Sequence, residues 1–160
     1  MIQTAFVEKS RVPDRTKLEE AIRALGFDLG VDESYQPFVS SGFLPCVLNG
    51  KNSGFEIYFD PPDEALKRFP HLKEKIGARN CAIVFRWGGD MAEGACVLIV
   101  SAALAKSFGA VVHYEDDDLM YSVDQLIEEA KGALQHAESK PRRQTPSPAR
   151  KKKKPWWKLW

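Results

Sequence analysis

Cysteine is scarce in this 160-residue chain, and the three present, Cys46, Cys81 and Cys96, are odd in number and widely spaced. Such a set excludes a disulfide framework, and two of the three sit in apolar runs where cysteine acts as a small hydrophobe. Cys46, which follows Pro45 on an expected edge strand, is the thiol placed nearest solvent. The three histidines, His71, His113 and His136, have no Cys or His at ligand spacing, so no metal site is expected. His113, inside an apolar strand, reads as a packing residue. No G-x-S-x-G, H-E-x-x-H or C-x-x-C motif occurs, and no cofactor fingerprint, so the chain is expected to work without cofactor and without catalysis. Its longest apolar stretch is bracketed by Glu93 and Lys106, short of the roughly 20 residues that a membrane span needs. Met1-Ile2-Gln3-Thr4 lacks the charged-then-apolar pattern of a secretion signal, and the expected location is the cytoplasm.

What the chain does have is a strongly apolar centre. Residues Asn80 to Tyr114 read as a strand (Cys81 to Trp87), a Gly88-Gly89 turn, a helix from Asp90 to Phe108, Gly109, and a second strand (Ala110 to Tyr114). Between Ala95 and Ala105 the only polar side chain is Ser101, so this helix has no face for water and belongs inside the molecule. If the two strands share a sheet, they run parallel.

The remaining elements surround this unit. Gln3 to Glu8 suits a first strand; Pro13-Asp14 opens a helix with Leu18, Ala21, Ile22 and Leu25 at i, i+3, i+4 and i+7. Phe27 to Asp32 alternates as a short strand, and Ser34 to Gly42 is a loop. Phe43 to Leu48 and Phe55 to Phe59 form a hairpin around Asn49 to Gly54, a loop longer than the two-residue type. Pro45 confines the first of these strands to an edge or a bulge. Asp60-Pro61-Pro62-Asp63 starts a helix broken at Pro70. Leu119 to Tyr121 is a short strand, and Ser122-Val123-Asp124-Gln125 is a capping box before a helix whose stripe of Val123, Leu126, Ile127, Ala130 and Leu134 is expected to cover the sheet. The fold class is α/β, with α+β as the alternative: a mixed sheet of five or six strands. Residues 1–138 form one domain, and 139–160 a flexible tail.

Three stretches are candidate sites. The turn from Gly88 to Glu93 follows a strand and opens a helix, where α/β folds bind ligands, but Asp90 and Glu93 repel phosphate and serve better as helix caps. A crevice there, and with it a small enzyme as one alternative, involves Arg86, Trp87, Asp90 and Glu93. Glu115, Asp116, Asp117 and Asp118 form the densest acidic run, a surface that complements a basic protein partner. The tail holds nine of the 23 Lys and Arg and no acid, leaving the body with 14 bases against 22 acids, a balance of −8. Arg150, Lys151, Lys152, Lys153 and Lys154 precede Pro155, and Trp156, Trp157, Lys158 and Trp160 follow. Cations beside tryptophans suit attachment to an anionic inner-membrane face; the same letters suit single-stranded nucleic acid, a partner protein or the acidic body itself.

Gly54-Phe55-Glu56 before a strand, Trp87-Gly88-Gly89-Asp90 with Glu93 before an alanine-rich helix, and Gly109-Ala110-Val111-Val112 before an acidic turn together resemble small bacterial α/β proteins of the immunity type. The likeness covers residues from about Phe55 to Ala130 and leaves out the tail. It implies a protein that binds and neutralises a toxic effector. The expectation is a non-catalytic binding protein that meets its partner through the acidic body and reaches a membrane surface through the tail.

Overall fold

The computed structural model describes residues 1–139. Seven strands form one sheet: β1 (Ile2–Val7), β2 (Leu29–Val31), β3 (Gly42–Leu48), β4 (Lys51–Asp60), β5 (Cys81–Arg86), β6 (Val111–Tyr114) and β7 (Leu119–Tyr121). Their order is β2-β3-β4-β5-β1-β6-β7, with every neighbouring pair antiparallel. The expected α/β class holds. The sheet has seven strands instead of five or six, and its neighbours are uniformly antiparallel because β1 inserts between β5 and β6. Those two strands are parallel to each other, as expected, but each bonds β1 from opposite sides.

The helices are α1 (Arg15–Ala24), α2 (Asp63–Arg68), α3 (Lys73–Ile76), α4 (Met91–Phe108) and α5 (Val123–Ser139), and a short 3-10 turn at Pro70–Leu72 marks the break expected at Pro70. α4 lies on one face of the sheet, with α1 beside it. Twelve of its residues are buried, from Met91 through Leu104. By length and hydropathy α4 could cross a bilayer, yet here it is enclosed by protein. α5 packs on α4 and not on the sheet as expected, so its buried Leu126, Ala130 and Ala133 seal the outward side of α4. A helix with no polar face requires cover on both sides, and α5 is the second cover.

Ser101, the one polar residue in that apolar run, is fully buried and accepts a 2.8 Å hydrogen bond from Gln3 Nε2 of β1. This bond ties the buried helix to the central region of the sheet.

The opposite face of the sheet is covered only in part. Ala65, Leu72 and Ile76 of the α2–α3 segment pack with Phe6 and Ala82, over the β5-β1-β6 portion. The outward side of β3 carries Phe43, Pro45 and Val47, all exposed, with Phe43 at 60% and Val47 at 45%. The Phe43 ring lies on Gly54 of β4 and fills the space where a β-carbon would stand.

The β3–β4 connection is tighter than its letters suggested. Asn49 and Gly50 alone turn the chain, with φ of 50° and 81°, and Lys51 to Ser53 join β4. Positive φ at both central residues is the demand of a type I′ turn, which Asn-Gly meets at low cost. Pro45 sits in a strand with neighbours on both sides, tolerated because β2 ends opposite Cys46 and only the Pro45 carbonyl is used, by Asp32 N at 3.1 Å. Cys46 is therefore not accessible: it faces the helix layer and is 2% exposed.

Replacing Ser101 by Ala leaves Gln3 Nε2 buried without its partner and is expected to cost about 1–3 kcal/mol, read as a lower denaturant midpoint. Adding Gln3→Leu removes the orphan, and the double variant should recover most of the loss. If the single variant unfolds at the wild-type midpoint, the bond does not contribute.

Candidate functional site

The acidic turn is built into the fold. Asp116 Oδ1 accepts from the backbone N–H of Ile2 at 3.0 Å, and Glu115 pairs with Arg68 at 2.7 Å. Asp118 takes a left-handed backbone conformation, φ 51° and ψ 50°. Its Oδ1 receives two imidazoles, His113 Nε2 at 2.7 Å and His71 Nε2 at 3.0 Å. A carboxylate only accepts, so each Nε2 carries its hydrogen toward it. The Phe69 ring meets His113 edge-on at 4.7 Å between centroids. Three of the four carboxylates thus fasten the β6–β7 turn to β1 and to the α2–α3 segment, and Asp117 stands at the surface among them. His113 is the buried packing residue its strand suggested, with a polar task added.

The Gly88 to Glu93 turn divides its four candidate residues. Arg86 lies with its guanidinium 5.7 Å from the Tyr58 ring centroid, and Tyr58 donates to Glu56 at 2.6 Å. Trp87 is buried, 6.3 Å from the Tyr114 ring, and its backbone meets Met1. Asp90 occupies the N-cap position of α4, but its side chain makes no capping bond. Glu93 reaches back to the Gly88 N–H rather than to Asp90. Burial lifts the Glu93 carboxyl above the usual carboxylate range, and the charges of Asp90 and Glu56 push it further the same way.

Asp90 and Glu93 line the side of a groove of about 790 Å³. Arg15 and Glu19 of α1, and Asp32 and Glu33 after β2, also line it. The rest of its border comes from β3, including Phe43, Pro45 and Val47, with Gly30 and Val31 of β2 and Asn52 and Ser53 of β4. Five carboxylates and one guanidinium line it. The position of α1 explains this charge: Glu19 accepts the Val31 N–H at 2.7 Å while Arg15 donates to the Val31 carbonyl at 2.7 Å. The two side chains pair with the open edge of β2 as a further strand would, the kind of cover that keeps a sheet edge from recruiting another chain. Asp32 accepts from Ser34, which holds its carboxyl below the ordinary range.

Cys46 also borders the groove, but a hydrogen bond to Cys96 and burial push its thiol far above the ordinary thiol range. Both effects disfavour the thiolate that nucleophilic chemistry needs.

The letters from Phe43 to Leu48 signalled this surface: a strand apolar at every position has two apolar faces, and only one meets the helices. Arg15, Glu19, Asp32 and Glu33 gave no such signal, since they converge only through the packing of α1 on the edge of β2. The tail residues Arg150, Lys151, Lys152, Lys153, Lys154, Trp156, Trp157, Lys158 and Trp160 lie outside the described residues. The chain matches no protein-family model, and no characterised protein or solved structure shows significant similarity to it.

Asp118 titrates low because His113 and then His71 hydrogen-bond its charged form. A depressed carboxyl stabilises the fold above its unfolded value, and the gain disappears as pH falls through the folded value. Asp118→Asn, which keeps the left-handed backbone accessible, is expected to be less stable than wild type at pH 7 and to converge with it in strong acid. Melting temperatures measured from pH 7 down to pH 2 check this; parallel curves refute it. Glu93 has the opposite sign. Its raised carboxyl costs stability as pH rises, so Glu93→Gln should melt higher than wild type at pH 7 and match it near pH 3. A lower melting temperature at pH 7 would count against the burial penalty.

Proposed function

We propose that this is a non-catalytic binding protein that takes a cationic, aromatic-bearing segment of a partner protein into the groove between α1, β3 and the start of α4. The observation that carries this reading is the lining of the groove by five carboxylates and one arginine, with Phe43, Pro45 and Val47 of β3 at its border. Opposite charge steers such a segment in and sets its register, while aromatic side chains find apolar area on that border. The disfavoured thiolate of Cys46 supports binding rather than nucleophilic chemistry. An acidic body that meets a basic effector also fits the immunity-type resemblance, and here the groove takes the role that the sequence assigned to Glu115 to Asp118.

A fluorescein-labelled dodecapeptide of lysine and tryptophan tests the reading. It is offered to the full chain carrying Gln at 150–154 and Ala at 156, 157 and 160, so that the chain's own cations do not compete. Binding by fluorescence anisotropy should weaken about tenfold on Glu33→Gln with Asp90→Asn, at about 0.7 kcal/mol for each exposed charge. It should weaken further at 0.5 M salt and on Val47→Ser. Affinity that ignores both the carboxylates and the salt would refute the groove as the site.

A further inference from the structure

Two of the three cysteines meet in the fold. Cys46, on the inward face of β3, and Cys96, in the second turn of α4, are joined thiol to thiol by a hydrogen bond. Both are buried, at 2% and 0% exposed. The start of α4 carries Ala92, Gly94 and Ala95, small residues that let the helix backbone come within 8 Å of β3. Cys46 and Ser53, which stand opposite each other in the β3–β4 ladder, both line the groove. Ser53 Oγ is buried with no nitrogen or oxygen partner, and it reaches the Cys96 sulfur. The other acceptor for Cys46, the Leu44 carbonyl, is 3.8 Å away. Cys96 therefore accepts from Cys46 and then from Ser53, and both bonds draw its thiol below the ordinary range. A sulfur so placed has the thiolate character that attack on an oxidant needs. Cys81 has no part in this. Seven residues of β4 separate Ser53, opposite Cys46, from Asp60, opposite Ala82, a distance of roughly 24 Å at about 3.4 Å per residue.

We propose that Cys46 and Cys96 are a redox-active pair that a hydroperoxide closes into a disulfide beside the groove, fastening β3 to the start of α4. The Cys96 sulfur attacks the hydroperoxide, and an S–O bond forms as the O–O bond breaks. The sulfur becomes a sulfenic acid, and the departing oxygen takes the thiol proton and leaves as water or an alcohol. The Cys46 sulfur then attacks the Cys96 sulfur. The S–S bond forms as the S–O bond breaks, and the released hydroxide leaves as water with the Cys46 proton. Two thiols give up two electrons, and one peroxide accepts them. The sulfurs must close from hydrogen-bond contact to about 2.05 Å, a movement of side chains. Enclosure this deep favours a small hydroperoxide over a bulky disulfide as the oxidant. The chemistry belongs to the thiols and stands whether or not the groove takes a cationic segment.

The test uses the full chain, reduced, freed of reductant and treated with hydrogen peroxide at pH 7. Thiols counted with dithionitrobenzoate in guanidinium should fall from three to one, and dithiothreitol should restore all three. Trypsin leaves the cysteines on separate peptides, 24–51, 80–86 and 87–106. Mass spectrometry should find the first joined to the third, with 80–86 free. In Cys46→Ala the second sulfur is gone, so peroxide should leave Cys96 as a sulfenic acid that dimedone captures. In Cys96→Ala the Cys46 thiol should be lost about tenfold more slowly than Cys96 is in Cys46→Ala, since it lacks the donors that favour a thiolate. Three thiols that persist in wild type while methionine is oxidised to its sulfoxide overturn the proposal. A cross-link through 80–86, or one between two chains, overturns it equally. Wild type alone decides among these results, so a variant that fails to fold does not shelter the proposal.

Discussion

The structure depends on the enclosure of α4. A helix that is apolar around its whole circumference cannot lie on a sheet as an ordinary surface helix does, because half of it would still face water. The sheet supplies one cover, α1 flanks it, and α5 supplies the other. The remaining architecture follows from that requirement. Strands β5 and β6, which bracket α4 in sequence, stand on either side of β1, and β1 contributes Gln3 to the only polar side chain in the apolar run of α4. Apolar packing is non-directional, and the Gln3 to Ser101 bond gives the buried interface one directional contact.

The letters made the core legible and its surroundings less so. Ala95 to Ala105 announce a buried helix by composition alone, and Ser122 with Gln125 announce the start of α5, whose reciprocal bonds of 2.8 and 3.1 Å form as a capping box requires. Local chemistry of this kind survives into the fold because its partners lie within a few residues. The α5 stripe told which residues would be buried but not against what, since a helix and a sheet reward the same apolar spacing. The β3–β4 turn was misplaced for a different reason: Asn49 to Gly54 contains two glycines and two asparagines, and only strand register shows that Asn49-Gly50 turns while Gly54 lies within β4 under Phe43. The acidic run was legible as charge and illegible as structure, because Arg68, His71 and the Ile2 N–H are distant in sequence.

The candidate site was legible on only one side. Asp90 and Glu93 stood out at a strand-to-helix turn, where carboxylates favour the positive end of the helix dipole. The other acids, Glu19, Asp32 and Glu33, read as ordinary exposed positions on a helix and after a strand. They join the groove because β2 is an edge, and an edge strand needs its backbone groups satisfied or shielded. Arg15 and Glu19 do this for Val31, at 2.7 Å each, and in doing so they bring a helix face into line with the start of α4.

The same economy leaves the sheet incomplete. The α2–α3 segment is short, and its buried Ala65, Leu72 and Ile76 reach only the β5-β1-β6 part of the second face. Extending it over β3 would need apolar residues beyond Ile76, where the chain instead turns at Gly77 into β5. Phe43 closes over Gly54, but Pro45 and Val47 have no such use inside the domain. Exposed apolar side chains scattered singly need no explanation, whereas three alternate residues of one strand form an apolar strip on the outward face of the sheet.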